Sequence, residues 1–290
     1  MKENKARVIA FYLPQYHPIP ENDKYWGKGF TEWTNVAKAK PLFRGHYQPH
    51  IPADLGFYDL RLPEVREAQA ELARDAGIEG FCYYHYWFGN GKMLLQKPFE
   101  EVLRLGKPDF PFCLCWANHD WTTKTWVKGS SMVNNTMIAQ QEYLGEQDDI
   151  KHFEYCLRAF KDHRYITIEG KPIFLIYDPL SFPNVKEFMN RWNFLAKKNN
   201  LKGIYFIGVT TGRQSSYKIV TNLGFDGVCH NRRWEAEAKA AGFRFVRRMQ
   251  SLLGWHLGIS LMKYDYNKVV RNYDTPVSYT HLRAHETRGN

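Results

Sequence analysis

Six short runs of almost continuous apolar, β-branched or aromatic residues recur along the chain. They cover Arg7 to Leu13, Gly80 to Trp87, Phe112 to Ala117, Pro172 to Tyr177, Ile204 to Val209 and Gly227 to His230. Runs of this length without polar alternation are typical of parallel strands that are buried on both faces. The pattern therefore predicts six buried, parallel strands.

Segments of helical periodicity lie between these runs. Apolar residues recur three or four positions apart in Leu62 to Ala76, Val185 to Lys198 and Tyr217 to Leu223. Strands that alternate with helices indicate βαβ units and a parallel sheet. The fold class predicted from the sequence is therefore α/β.

The sheet could be open or closed into a barrel. No glycine-rich phosphate loop follows the first strand, and polar or aromatic residues gather just after the carboxyl end of nearly every strand, which favours a (β/α)8 TIM-type barrel. An eight-stranded barrel needs two more strands, and Leu252 to Asn272 is the candidate for a seventh unit. We expect residues 1–276 to form a C-terminally truncated barrel. We expect residues 277–290 to be a non-native tail, because they lack amphipathic periodicity.

Charge and composition narrow the class of partner. The formal net charge is +10, but the basic residues are scattered, and the densest cluster, Arg232 to Arg248, is interrupted by Glu235 and Glu237. A solvated helix face explains this better than a nucleic-acid site, although an anionic substrate such as a phosphorylated lipid carrier or a nucleotide sugar stays open. The polar N-terminus and the break at Pro14 argue against a signal peptide or stable membrane insertion, so we expect a cytoplasmic protein.

The five cysteines lie mostly in apolar, strand-like runs and are expected to be buried thiols. Cys113 and Cys115 form a Cys-x-Cys pair without the second ligand pair of a zinc site. We therefore expect no metal site and no cofactor. The sequence does not indicate an oligomeric state.

Aromatic residues make up 16% of the chain and crowd into its first half, near the predicted strand ends. Aromatic faces stack on sugar rings, and neighbouring polar groups can bind sugar hydroxyls. Each of these features also has an explanation without sugar binding. Polar residues at strand ends can simply cap the strands, and a loop rich in Gly and Pro can pack on itself. A single histidine is usually a core residue. The candidate substrate-binding residues are Tyr12, Gln15, His17, Trp26, Glu32, Trp33, Tyr47, Tyr84, His85, Trp87, Trp116, Asn118, Trp121 and Tyr177.

Strand alternation divides the second run into two faces. Tyr84, Tyr86 and Phe88 share one face, and Tyr83, His85 and Trp87 share the other. One of these sets must point into the barrel, and the sequence alone does not say which.

Three long motifs together resemble the opening of WbsX-type proteins, which are also described as similar to glycoside hydrolase family 99. They are FYLPQYHPIPENDKYWGKGFTEWTNVAKAKPLFRGHYQPHIPADLGFYDL, GIEGFCYYHYWF and FPFCLCWANHDWT. The resemblance spans about residues 7–275. It implies a (β/α)8 fold, a glycan or glycoconjugate substrate, and hydrolysis or glycosyl transfer in bacterial lipopolysaccharide O-antigen or capsule metabolism.

The resemblance also implies a late pair of glutamates in an N-x-W-N-E-W-x-E-G motif, which this sequence does not contain. Glycoside hydrolysis generally needs two carboxyl groups that flank the scissile bond. Glu32 and Asp178 are the candidates among strand-end and loop carboxylates. We expect the catalytic pair to be missing from this chain, and a non-catalytic carbohydrate-binding barrel is the alternative.

Overall fold

The computed structural model describes residues 6–41, 45–123, 136–210, 214–230, 233–240, 248–250, 252–253 and 265–272. The strands are β1 (Ile9–Tyr12), β2 (Gly80–Trp87), β3 (Met93–Leu94), β4 (Phe112–Trp116), β5 (Trp121–Thr122), β6 (Met137–Ala139), β7 (Thr167–Ile168), β8 (Lys171–Ile176), β9 (Tyr205–Thr210) and β10 (Gly227–His230). The helices are α1 (Pro20–Trp26), α2 (Glu32–Lys38), α3 (Pro63–Asp75), α4 (Lys97–Leu105), α5 (Glu146–Phe160), α6 (Val185–Lys198), α7 (Gln214–Asn222), α8 (Arg233–Ala240) and α9 (Tyr266–Asn272).

Six of the strands form one parallel sheet in the order β1-β2-β4-β8-β9-β10. They coincide, to within a few residues at each end, with the six apolar runs of the sequence. Helices connect successive parallel strands, as βαβ units require. The predicted α/β class is therefore confirmed.

The sheet is curled into a half-barrel. Ile9 and Phe11 of β1 line one cavity of about 290 Å³ together with Val228 and Cys229 of β10, although β1 and β10 stand at opposite ends of the strand order. Strands that are so far apart in a sheet share a cavity only when the sheet curves around it. The concave face of this half-barrel is the inner face of the predicted barrel.

The convex face is covered by helices and holds the main core. Trp192 of α6 is fully buried there, with ring centroids 4.7 Å from Phe174 of β8 and 4.6 Å from Phe188. Burial of one aromatic ring of this size contributes about 3 kcal/mol or more to stability. The α5 and α6 helices pack on each other across the same layer.

The cysteines are free thiols, as the sequence predicts. Cys82, Cys113, Cys115 and Cys156 are buried, and Cys229 is half-buried. Burial raises the pKa of the Cys82, Cys156 and Cys229 thiols, which keeps them protonated at neutral pH. None of the described helices is both long and apolar enough to cross a membrane.

Two sequence predictions fall partly or wholly outside the described residues. The boundary at residue 276 and the tail 277–290 lie outside them, as does much of the proposed seventh unit, of which α9 is described and contacts α8. Between β4 and α5 the structure describes residues 117–123 and 136–145, where β6 pairs with β5 as a short antiparallel hairpin.

Two buried glycines provide a test of the sheet packing. A Cβ atom at Gly80 would lie 2.4 Å from the backbone carbonyl oxygen of Pro111, and one at Gly208 would lie 2.5 Å from the Cγ1 atom of Val220. A side chain can rotate or shift more easily than a backbone carbonyl. We therefore expect Gly80→Ala to lower the free energy of unfolding by about 1–3 kcal/mol, and by more than Gly208→Ala does. Urea unfolding of both variants measures this, and equal losses would contradict it.

Candidate active site

The register of β2 with its neighbours decides which side chains reach the concave face. Phe11 pairs with Cys82, and Cys82 pairs with Cys113, and all three line the inner cavity. Since side chains alternate along a strand, Tyr84 and Tyr86 lie on this inner face as well. Both are near the carboxyl end of β2, where active sites of barrel enzymes are found.

Four aromatic rings form a continuous ridge at this end of the half-barrel. Tyr84 stacks on Phe11 with ring centroids 5.4 Å apart and meets Tyr177 edge-on at 6.0 Å, and the Tyr177 ring lies 5.3 Å from that of His119. Phe11 is 42% exposed, Tyr84 and Tyr177 are half-buried, and His119 is exposed. These four residues are called the aromatic ridge below, and each leaves part of its ring surface exposed.

A second aromatic pair lies beside the ridge. Tyr86 stacks on Trp121 at 5.7 Å, and the side-chain amide of Gln15 donates to the Tyr86 hydroxyl at 2.9 Å. Burial raises the pKa of Tyr86 to about 12, so the phenol stays protonated at neutral pH. The structure therefore brings together four predicted site residues, namely Gln15, Tyr84, Trp121 and Tyr177, and adds Phe11, Tyr86 and His119, which were not among the candidates.

Glu32, at the start of α2, is a carboxylate close enough to this group to act on it. Burial raises the pKa of both Tyr16 and Tyr86, and the negative charge of Glu32 adds to the rise. Burial raises the pKa of Glu32 itself, and a hydrogen bond with Asn35 lowers it by less. A partly buried carboxyl group with a raised pKa beside an open aromatic surface is suited to hydrogen bonding or proton transfer.

Asn118 connects the loops that follow β4 and β8. It is 1% exposed, its side-chain amide donates to the Asp178 carbonyl at 2.8 Å, and its Oδ1 accepts the Asp178 backbone N–H at 2.7 Å. The same amide also donates to the Tyr143 hydroxyl at 3.0 Å. Asn118 thus holds the positions of its neighbour His119 and of Tyr177 instead of presenting its own amide to solvent.

Asp178 is held in a turn. Its backbone is fixed by Asn118, and its carboxylate accepts the backbone N–H of Ser181 at 3.3 Å. This matches the turn-residue alternative for an aspartate that precedes proline.

Four other candidates lie on the convex face. The Tyr12 hydroxyl donates to Gln69 at 2.6 Å, and the Trp116 indole donates to the Trp87 carbonyl at 2.9 Å. Tyr12, His85, Trp87 and Trp116 are each less than 9% exposed and pack against helices. Strand alternation turns them away from the aromatic ridge, so we leave them out of the proposed glycan surface.

Trp26 and Trp33, two candidates in the loop between β1 and α3, pack on other residues of the same loop. The Trp33 indole donates to the Tyr58 carbonyl at 2.8 Å, and its ring lies 4.7 Å from Tyr16. Trp26 stacks on Phe30 at 4.9 Å. Tyr47, which is 67% exposed, keeps most of its surface free for a ligand.

A buried polar stripe on α5 was not predicted from the sequence. Asp148, His152 and Cys156 are spaced four residues apart, which places them on one helix face toward β2. Asp148 accepts the Trp87 indole N–H at 3.1 Å, and the Nε2 atoms of His152 and His85 lie 2.8 Å apart. The spacing of four residues alone would not have identified this stripe, because the partners of Asp148 and His152 on β2 are more than 60 residues away in sequence.

His85, His152 and Cys156 are also the group of described residues that could hold a metal ion, because their ligand atoms lie within 4.8 Å of one another. Two nitrogens bound to one tetrahedral zinc are about 3.3 Å apart. The 2.8 Å separation of the two Nε2 atoms is that of a hydrogen bond. The geometry therefore fits a pair of neutral, hydrogen-bonded imidazoles.

This histidine pair gives a test through the pH dependence of stability. Burial lowers the pKa of His85 to about 3, and the pKa of His152 is lowered too. Below pH 6.5 the unfolded chain binds protons that the folded chain excludes, so stability falls as the pH falls from about 7 to about 5. His85 accounts for about 2 kcal/mol of that loss.

We expect His85→Gln, which keeps a hydrogen-bonding group beside His152, to lose less stability than the parent chain over the same pH interval. Urea unfolding at both pH values measures the difference. An identical pH dependence in the two proteins would show that folding does not lower the pKa of His85.

Comparison with known proteins places this chain in a family. The family model described as Glycosyltransferase WbsX matches residues 8–287. The uncharacterized protein WxcX of Xanthomonas campestris pv. campestris, from strains B100 and ATCC 33913, is 42% identical over 223 residues. That match covers 77% of this chain and 31% of WxcX, so the chain spans about a third of the length of these relatives.

Solved structures with related architecture are more distant. An endo-α-mannosidase of glycoside hydrolase family 99 from Bacteroides thetaiotaomicron is 16% identical, with TM-scores of 0.49 and 0.44 in two structures; these cover 87% and 88% of this chain and 66% and 69% of the enzyme. A glycoside hydrolase-like protein is also 16% identical, with a TM-score of 0.49, covering 87% of this chain and 64% of that protein. The fold assignment rests instead on strand order and register. With the family model matching nearly its whole length, the chain belongs to the WbsX glycosyltransferase family.

Proposed function

We propose that this chain forms the glycan-binding surface of an enzyme that acts on glycosidic bonds. The observation that carries the proposal is the aromatic ridge at the carboxyl end of the parallel strands. Aromatic faces bind the C–H faces of sugar rings, and barrel enzymes place their substrates at this end of the sheet. Membership of the WbsX family supports a carbohydrate-active role.

The polar groups beside the ridge suit the hydroxyls of a sugar. Gln15 and Tyr86 offer both donors and acceptors, and Glu32 offers acceptors when it is ionised. Trp121, which is half-buried and stacks on the buried ring of Tyr86, adds a second aromatic surface. An extended glycan can therefore contact the ridge with one ring and this second group with another.

The reaction we propose is hydrolysis or glycosyl transfer in bacterial surface-polysaccharide metabolism. A retaining or an inverting hydrolase needs two carboxyl groups at the scissile bond. Asp178 is held in a turn, which leaves Glu32 as the better candidate for contact with substrate. We propose that the catalytic carboxylate pair is supplied by sequence that this chain does not contain.

Hydrolysis or transglycosylation fits the sequence better than transfer from a nucleotide sugar. A glycine-rich loop of the Rossmann type and an Asp-x-Asp motif are both missing from the sequence. Turnover of nucleotide-sugar donors, without any action on glycans, would overturn this preference.

Removal of the central ring of the ridge tests the binding surface. We expect Tyr84→Ala to weaken binding of a neutral oligosaccharide about tenfold, because one stacking surface is lost, and Tyr84→Phe to retain most of the affinity. Calorimetry on a panel of bacterial surface oligosaccharides and mannose-containing glycans measures both. Phe194→Ala is the matched control, because Phe194 is a 67% exposed aromatic residue of α6 that is not part of the ridge. Equal affinities for Tyr84→Ala and Phe194→Ala would remove the ridge from the binding surface.

The raised pKa of Glu32 gives a second test. If the ionised carboxylate accepts sugar hydroxyls, glycan affinity rises as the pH increases through the Glu32 pKa, which burial places above its ordinary value. We expect Glu32→Gln to bind glycans with little pH dependence between about pH 4 and about pH 7, and Asp178→Asn to keep the pH profile of the parent chain. Circular dichroism at each pH confirms that the proteins remain folded. A parent profile that is already flat would exclude Glu32 from the binding surface.

One experiment distinguishes an enzyme from a non-catalytic binding module, because it measures product formation and glycan binding in the same protein. We propose that this chain is part of a longer protein with a late glutamate pair; that protein is assayed for glycan products, together with glutamate-to-glutamine variants of the pair. Loss of product with retained binding supports the enzyme. Binding without any product from the longer protein supports a non-catalytic carbohydrate-binding barrel.

A further inference from the structure

The segment between β6 and α5 has no regular secondary structure, but it is tied to the strand ends of the half-barrel. The backbone N–H of Gln141 donates to the Asp120 carboxylate at 2.7 Å. The backbone N–H of Glu142 donates to the Phe88 carbonyl at 3.0 Å. The segment is therefore held against the residues that follow β2 and β4, and Tyr143 is the next residue along it.

Tyr143 and Asn118 form a reciprocal pair of hydrogen bonds. The Tyr143 hydroxyl accepts from the Asn118 side-chain amide at 3.0 Å and donates to the Asn118 carbonyl at 3.1 Å. Burial raises the pKa of Tyr143 to about 12, so the hydroxyl keeps its proton and donates at neutral pH. Because Asn118 is 1% exposed, loss of this hydroxyl would take a partner from two buried polar groups.

The Tyr143 ring has contacts that do not depend on its hydroxyl. It stacks on Phe182 with ring centroids 4.4 Å apart and an angle of 16° between the rings, and it meets Trp116 edge-on at 6.0 Å. Phe182 lies between β8 and α6, and Trp116 ends β4. A phenylalanine at position 143 keeps these ring contacts, so the hydroxyl can be removed by itself.

Asn118 connects Tyr143 to two rings of the aromatic ridge. Its side chain bonds to both the carbonyl and the N–H of Asp178, which directly follows Tyr177, and its own backbone leads into His119. The rings of Tyr177 and His119 lie 5.3 Å apart. The separation of these rings therefore depends on one buried amide, and the Tyr143 hydroxyl contacts that amide.

We propose that Tyr143 is a positioning residue for glycan binding. Its hydroxyl fixes Asn118, and Asn118 fixes the Tyr177 and His119 rings, so Tyr143 acts without contact with the glycan. A binding surface needs such supporting contacts, because a small displacement of its rings weakens stacking. The role in glycan binding rests on the proposed function, whereas the effect of the hydroxyl on the two rings does not.

The first experiment uses the full chain without a ligand and compares Tyr143→Phe with Tyr155→Phe. Tyr155→Phe is the matched control, because the Tyr155 hydroxyl donates to Glu100 at 3.2 Å in the helix layer. We expect Tyr143→Phe to shift the His119 imidazole resonances in NMR spectra at fixed pH, and Tyr155→Phe to leave them unchanged. Circular dichroism and urea unfolding measure any loss of stability, which by itself would not move the His119 resonances selectively.

The second experiment measures the affinity of the same variants for a neutral mannose-containing oligosaccharide by calorimetry. We expect Tyr143→Phe to weaken binding about fivefold, which corresponds to the loss of about one hydrogen bond's support, and Tyr155→Phe to bind like the parent chain. The ridge variant Tyr84→Ala is measured alongside them.

The outcomes separate this inference from the proposed function. His119 resonances that are unchanged in Tyr143→Phe, or that shift equally in Tyr155→Phe, would overturn the positioning role. If Tyr84→Ala weakens binding and Tyr143→Phe does not, the proposed function stands and the inference about Tyr143 is wrong. If Tyr143→Phe shifts the His119 resonances but Tyr84→Ala binds like Phe194→Ala, the hydroxyl positions the rings and the proposed glycan surface is wrong.

Discussion

The in-register pairing of β1, β2 and β4 is the constraint on which the rest of the structure depends. It aligns Phe11, Cys82 and Cys113 in one row across the sheet, and this row lines the inner cavity. A shift of one residue would send Tyr84 and Tyr86 into the helix layer and His85 and Trp87 into the cavity. The same pairing therefore fixes both the core and the surface that is open to a ligand.

The two faces of β2 are specialised by this arrangement. Its convex side carries His85 and Trp87, which pair with the buried stripe of α5 through His152 and Asp148. These contacts satisfy polar groups that would otherwise be costly to bury. Its concave side carries Tyr84, which is half-buried in the aromatic ridge, and Tyr86, which is buried against Trp121. One face of β2 thus packs against α5, and its other face carries the aromatic residues.

Loop connections complete the site. Asn118 joins the ends of β4 and β8, so His119 and Tyr177 keep a fixed separation at the edge of the half-barrel. The short β3 strand joins the end of β2 to the start of α4 and places Leu94 against Tyr86.

The sequence by itself determined the six parallel strands, several of the helices and the concentration of aromatic and polar residues at the strand ends. Continuous apolar runs and helical periodicity are local signals, which explains why β2, β10 and α6 were predicted with their observed bounds. The family resemblance came from long motifs that need no structure to be read. The tertiary structure alone decided which face of β2 points inward, that Tyr12, Trp87 and Trp116 pack against helices, and that Phe11 and His119 join the ridge. It also decided that Asn118 holds loops together and that His17 and Lys97 line the same cavity. These outcomes depend on contacts between residues far apart in sequence, and only strand register and helix docking set such contacts.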